Sequence, residues 1–264
     1  MSFNNKNVSI FFWLFFILLF FWYDFLFITG QKNTHLNHLF NVAYAFMFLF
    51  GGLLALKGFI SSGIKSSIGK QLFSISVGML GFAAGLFTWT FYNFILKVDV
   101  PYPSIADVFF ILYIPFLGYG IINILRVFDV LISKKILVKF VGIFVVSSVM
   151  IFFIGSARYS SQSPSILAQL FNIFYLMGDA FLVTLSVMLI SLSKDKIHRS
   201  FLYFVIALLA MTFADLVFTY RTSNGIYWNG DVTDLLYAFS GFMFCLGVTN
   251  IVFDHKKITT HFSS

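Results

Sequence analysis

An all-α fold, a polytopic bundle of eight membrane-spanning helices, is predicted by three features: an apolar composition, the length of the apolar runs, and the placement of Lys and Arg between them. Of 264 residues, 59% are hydrophobic, 21% aromatic and only 10% charged, where ordinary soluble domains carry about a quarter charged residues. Such a chain dissolves in lipid. The net charge of +7 does not point to nucleic acid, because a DNA-binding face needs its basic residues gathered on one surface, and here they stand in short connectors.

Eight runs approach the roughly 20 apolar residues that a helix needs to cross about 30 Å of hydrocarbon: residues 9–29, 38–60, 71–95, 105–126, 136–156, 165–191, 199–220 and 233–253. The first is too long for a signal-peptide core, has no small-residue cleavage site and is interrupted by Asp24, so it reads as a retained helix. In the third, Ser74, Gly78, Gly81 and Gly85 recur at spacings of three and four. That small-residue face invites close approach by another helix and predicts a central position. Cys245, the single cysteine, allows no intrachain disulfide and reads as a small apolar filler.

Orientation follows from the basic residues on alternate sides of these runs. Lys6, Lys57, Lys65, Lys70, Arg126, Lys134, Lys135, Lys139, Lys194, Lys196, Arg199, Lys256 and Lys257 fall on one side, and only Lys32, Lys97, Arg158 and Arg221 on the other. Both termini are therefore expected in the cytoplasm, with residues 1–264 forming one integral domain of the plasma membrane.

Laying the halves over each other suggests an internal repeat, about 1–130 and 131–264. Leu39-Phe-Asn-Val-Ala-Tyr44 matches Leu170-Phe-Asn-Ile-Phe-Tyr175 at an offset of 131, and Ala106-Asp107 with Gly120 matches Thr233-Asp234 with Gly247 at 127. Four spans per unit is an even number, so the copies would share one orientation, a parallel 4+4 arrangement about an axis near the membrane normal.

All ten acidic residues are Asp, and five of them are candidate ligand-binding residues. Asp107 lies three residues after Ser104, and Asp234 three after Asp231. This is the spacing of a capping box, in which an acid reaches back to a free backbone amide. The same positions would also put two carboxylates at the outer mouth of the bundle. Asp24, Asp179 and Asp215 fall within spans, where an ionisable group costs about 2.5 to 3.5 kcal/mol and is expected to face the bundle interior. Asn172, Tyr175 and Asp179, with Ser186, share one face of the sixth span, and Thr212 with Asp215 makes a shorter polar stripe in the seventh. His35 and His38 have HxxH spacing in an outer connector, but histidines in a short polar connector are more often solvated than metal-bound. No catalytic residue, metal ligand or cofactor is assigned. Trp13, Trp22, Trp89 and Trp228 fit an interfacial aromatic belt.

The stretch Pro101 to Gly120, PYPSIADVFFILYIPFLGYG, together with YLMGDAFL at 175–182 and Ala214-Asp215, Gly225, Tyr227, Gly230 and Asp234, resembles the membrane-embedded sensory region that precedes diguanylate cyclase or histidine kinase domains in some bacteria. The resemblance covers about the last two-thirds of the chain. It implies a sensory or dimerising input module, with Pro103, Ser104, Asp107, Asp179, Asp215 and Asp234 as the corresponding residues. After Phe253 only eleven residues follow, so no output domain is expected and a separate cytoplasmic signalling partner is implied, with a homodimer as a further expectation.

The leading expectation is a non-catalytic sensory or ligand-binding module that passes an outer-side signal to a partner. Two other classes stay open: an intramembrane lipid hydrolase using Asp with His35 or His38, and a small transporter with its site between the halves. The first needs a concentrated acid/base constellation, and the second is usually marked by interrupted helices at matching places. Pro115 is the one proline within a span, and its counterpart at the 127 offset is Phe242.

Overall fold

The computed structural model describes residues 4–127, 134–155, 165–192 and 199–262. Asp129, Arg158, Lys194, Asp195 and Lys196 lie outside the described residues. Eight α-helices make up the described chain: α1 Asn5–Ile28, α2 His35–Ser62, α3 Ser67–Thr90, α4 Ile105–Val127, α5 Lys134–Gly155, α6 Ile166–Leu192, α7 Arg199–Ser223 and α8 Val232–Phe262. All eight are long and apolar enough to cross a membrane, and no strand is present among the described residues.

Local chemistry sets where the helices begin and end. The Asn7 amide donates to the Asn4 side chain at 2.9 Å, and the Gly69 amide donates to Ser66 Oγ at 2.9 Å, each relieving one of the free donors at a helix start. At α2 the Thr34 amide donates to Asn37 Oδ1 at 3.0 Å. The third span does not stop at Thr90 but continues through a π-helical turn, Phe91–Leu96, that ends on Lys97 at φ 55°. Pro115 sits inside an unbroken α4. Capping also explains why α1 starts at Asn5, ahead of its long apolar run, while α8 runs on through Lys256 and Lys257 past the apolar stretch. Apolarity marks the part of a helix that meets lipid, whereas hydrogen bonding marks its end.

The small-residue face of α3 packs on α4. A methyl group at Gly78 would stand 3.1 Å from Leu117, and one at Gly85 would stand 2.5 Å from the Phe110 ring. The central position expected for this helix is nevertheless held more fully by α8, which packs against α1, α2 and α7. Within its apolar window 67% of α8 is buried, against 56% in α3 and only 17% and 11% in α1 and α5. Leu14, Phe21, Ile28, Val138 and Phe153 accordingly stand exposed, as side chains facing hydrocarbon should. Phe40, Phe48, Phe204, Phe242 and Phe244 fill the interior.

Candidate functional site: an aspartate-lined cavity

The start of α4 is held by Asp107, whose Oδ2 accepts the Ser104 amide at 2.7 Å and the Ser104 hydroxyl at 2.9 Å. Its other oxygen accepts the Tyr175 hydroxyl of α6 at 3.0 Å. At the start of α8, where Asp231 Oδ1 accepts the Thr233 amide at 2.7 Å, Asp234 reaches one residue further back. Its Oδ2 accepts the Gly230 amide at 2.6 Å, while its Oδ1 accepts the Tyr44 hydroxyl of α2 at 3.1 Å. Gly230 has φ 82°, a conformation that other residues rarely adopt, and in it the Gly230 amide reaches the carboxylate. Each acid therefore holds a helix start and is an interhelical acceptor together.

A second pair of contacts lies one turn nearer the helix starts. Asn41 Nδ2 donates to Asn229 Oδ1 at 2.8 Å, and the Tyr102 hydroxyl donates to Asn172 Oδ1 at 2.5 Å. Asn41 and Asn172 are 131 positions apart, as are Tyr44 and Tyr175. Tyr102 and Asn229 are 127 apart, as are Asp107 and Asp234. The two contacts join α2 to the start of α8 and α6 to the start of α4, so each links the first half of the chain to the second.

Between these contacts lies a cavity of about 380 Å³, within the range of small-molecule sites. Asp107, Asp179, Asp215 and Asp234, from four different helices, all line it, together with Tyr44, Tyr102, Tyr113, Tyr175, Tyr227 and Tyr237. The Tyr237 hydroxyl donates to Asp215 at 2.6 Å. Phe82 forms part of the wall, with ring centroids 5.0 Å from Phe110, 5.3 Å from Tyr113 and 5.7 Å from Tyr237. Trp89, Phe218 and Tyr227 make an aromatic cluster toward the connectors, and Trp89 Nε1 donates to Asn229 at 3.1 Å. Burial, the Asp234 carboxylate and the Asp231 carboxylate hold the Tyr227 phenol well above its ordinary pKa, so it stays a hydrogen-bond donor.

Among the described residues, no Lys or Arg lines the cavity. Arg221, at the end of α7, instead donates Nε to Asp231 at 2.6 Å and a terminal nitrogen to the Ile226 carbonyl at 3.0 Å. Its guanidinium stands 4.9 Å from the Trp228 ring centre, with Lys32 Nζ 4.3 Å from the same ring.

Of the residues singled out from the sequence, Asp107, Asn172, Tyr175, Asp179, Asp215 and Asp234 line this one cavity, whereas Asp24 and Thr212 do not. Thr212 is buried, and its hydroxyl has no hydrogen-bond partner. The Ser186 hydroxyl returns to its own helix, donating to the Leu182 carbonyl at 2.8 Å. His35 and His38 both pack on Phe94, with ring centres 5.5 Å away. Sequence reasoning missed Tyr113 and Tyr237. Tyr237 follows Asp234 by three residues, one helical turn, a spacing that could have found it. Trp89, read as part of a membrane belt, is a cavity residue. Comparison with protein-family models, curated proteins and solved structures yields no match for this chain.

Proposed function

We propose that this membrane protein is a non-catalytic ligand-binding module, built of two related halves, that receives a small molecule from the outer side of the plasma membrane and signals it to a partner. The observation that supports this best is the meeting of four aspartates from four helices at one cavity of about 380 Å³. Acids buried in hydrocarbon without a task are costly. Two of these four also hold helix starts, but that does not account for Asp179 and Asp215. The hydrolase alternative loses support because His35 and His38 pack on Phe94 and neither lines the cavity.

A transporter with its site between the halves is the second reading. It is favoured by the paired Tyr44–Asp234 and Tyr175–Asp107 contacts, which cross between the halves in the same way. A small-molecule fragment library, screened for thermal stabilisation of the full chain in lipid nanodiscs, tests ligand binding. Fragments that stabilise the wild type and not a cavity-blocked Leu216→Trp variant are expected. A library with no such member would end the binding reading. Flux of a stabilising fragment into proteoliposomes would favour the transporter.

A further inference from the structure

Asp107 and Asp234 each accept hydrogen bonds at both oxygens, and no basic side chain among the described residues shares the cavity. Deeper in, Tyr113 lines the same cavity with only 3% of its surface exposed, and its hydroxyl has no hydrogen-bond partner. Asp179 of α6 and Asp215 of α7 line the same cavity as that tyrosine. An orphaned buried hydroxyl is costly unless something in the cavity completes it. The hydroxyl is closed off from the empty cavity, so a ligand's polar group completes it by turning the Tyr113 ring.

Chemistry narrows the ligand. Among the described residues, no three His, Cys or Asp side chains gather closely enough to hold a metal ion, so the acids do not form a compact cation cage. They stand instead around walls of Phe82, Phe110, Trp89 and Phe218, whose ring faces attract organic cations. We infer that the cavity takes a protonated organic amine, its ammonium held among Asp179, Asp215 and Tyr113 and its apolar body against the Phe82–Phe110 wall. Charge-assisted hydrogen bonds to the carboxylates supply orientation. This identification rests on the ligand-binding reading given above.

Three probes of one framework test it on the full chain in nanodiscs: phenethylammonium, neutral 2-phenylethanol and anionic phenylacetate. The amine is expected to bind at least about tenfold more tightly than the other two, a difference of about 1.4 kcal/mol. Asp179→Asn and Asp215→Asn should each weaken amine binding about tenfold or more, and Tyr113→Phe several-fold. Asp99→Asn removes the same formal charge from an exposed connector and should change it little. Should the aspartate variants fail to fold, Tyr113→Phe carries the test, and unaltered amine affinity in that variant overturns the assignment. Equal binding of the alcohol, or preference for phenylacetate, overturns the cation class and leaves the ligand-binding reading intact. Failure of all three probes and of the fragment library overturns both.

Discussion

The Tyr175 hydroxyl of α6 donates to Asp107 at the start of α4 at 3.0 Å, and the Tyr44 hydroxyl of α2 donates to Asp234 at the start of α8 at 3.1 Å. Each bond ties a mid-helix tyrosine to an acid at a helix start; losing the Tyr175 phenol removes the donor to Asp107 Oδ1, whereas Asp234 Oδ1 keeps the Tyr227 hydroxyl at 3.3 Å when the Tyr44 phenol is lost. Tyr44→Phe and Tyr175→Phe are expected to destabilise the protein by about 0.6 to 1.7 kcal/mol each, the range of interhelical hydrogen bonds in membranes. Reversible unfolding in mixed micelles measures this. A double-mutant cycle of Tyr175→Phe with Asp107→Asn should give a coupling of the same size, and additive losses would show that the bond contributes nothing.

The basic residues predict that single cysteines placed in the Gly30–Thr34 connector react with a membrane-impermeant maleimide in whole cells, and that a cysteine replacing Lys65 does not. The physical ground is the excess of Lys and Arg on the Lys65 side. The same labelling establishes which side of the membrane the cavity lies nearer, since its lining includes the connector residues Val100, Pro101 and Tyr227. Labelling of position 65 from outside would invert the protein.

Alkaline pH should reveal Tyr227. Its folded pKa is raised above the ordinary 10.0 by burial first and by Asp234 second. The neutral phenol is thus favoured by folding, and its contribution is complete below about pH 10. Above that value the unfolded chain releases the proton and the folded one holds it, so stability falls, by up to about 1.4 kcal/mol per pH unit. Stability of the wild type between pH 9 and 11 is expected to drop more steeply than that of Tyr227→Phe. Parallel curves would remove Tyr227 from the buried network.

Most of the helical framework was legible in the sequence because hydrocarbon imposes a minimum length on apolar runs, and the eight runs correspond one to one with α1 to α8. The helix ends were less so. The π-helical turn after Thr90 and the extension of α8 to Phe262 depend on backbone hydrogen bonds, which apolarity does not encode. At the site, Asp179 and Asp215 stood out because an acid is rare in a span. Tyr113 did not, since a tyrosine in an aromatic-rich helix carries no compositional signal, and only the packing of α4 against α3 turns its ring to the cavity. Tyr237 rather than Thr212 meets Asp215, because helix α8 packs against α7 along its length, and sequence periodicity says nothing of which helix is next door.

The contacts that cross between the halves also differ in how long each partner waits during synthesis. Tyr44 and its acceptor Asp234 are separated by 190 residues, so a ribosome delivers α2 long before the acid that will receive it. Asp107 waits only 68 residues for Tyr175. During synthesis the α4–α6 seam can therefore close first, while Asn41 and Tyr44 stay unsatisfied in the bilayer until α8 emerges from the translocon. Arrest of translation ahead of α8 would leave two polar side chains facing lipid, a signal of the kind that membrane quality control can act on.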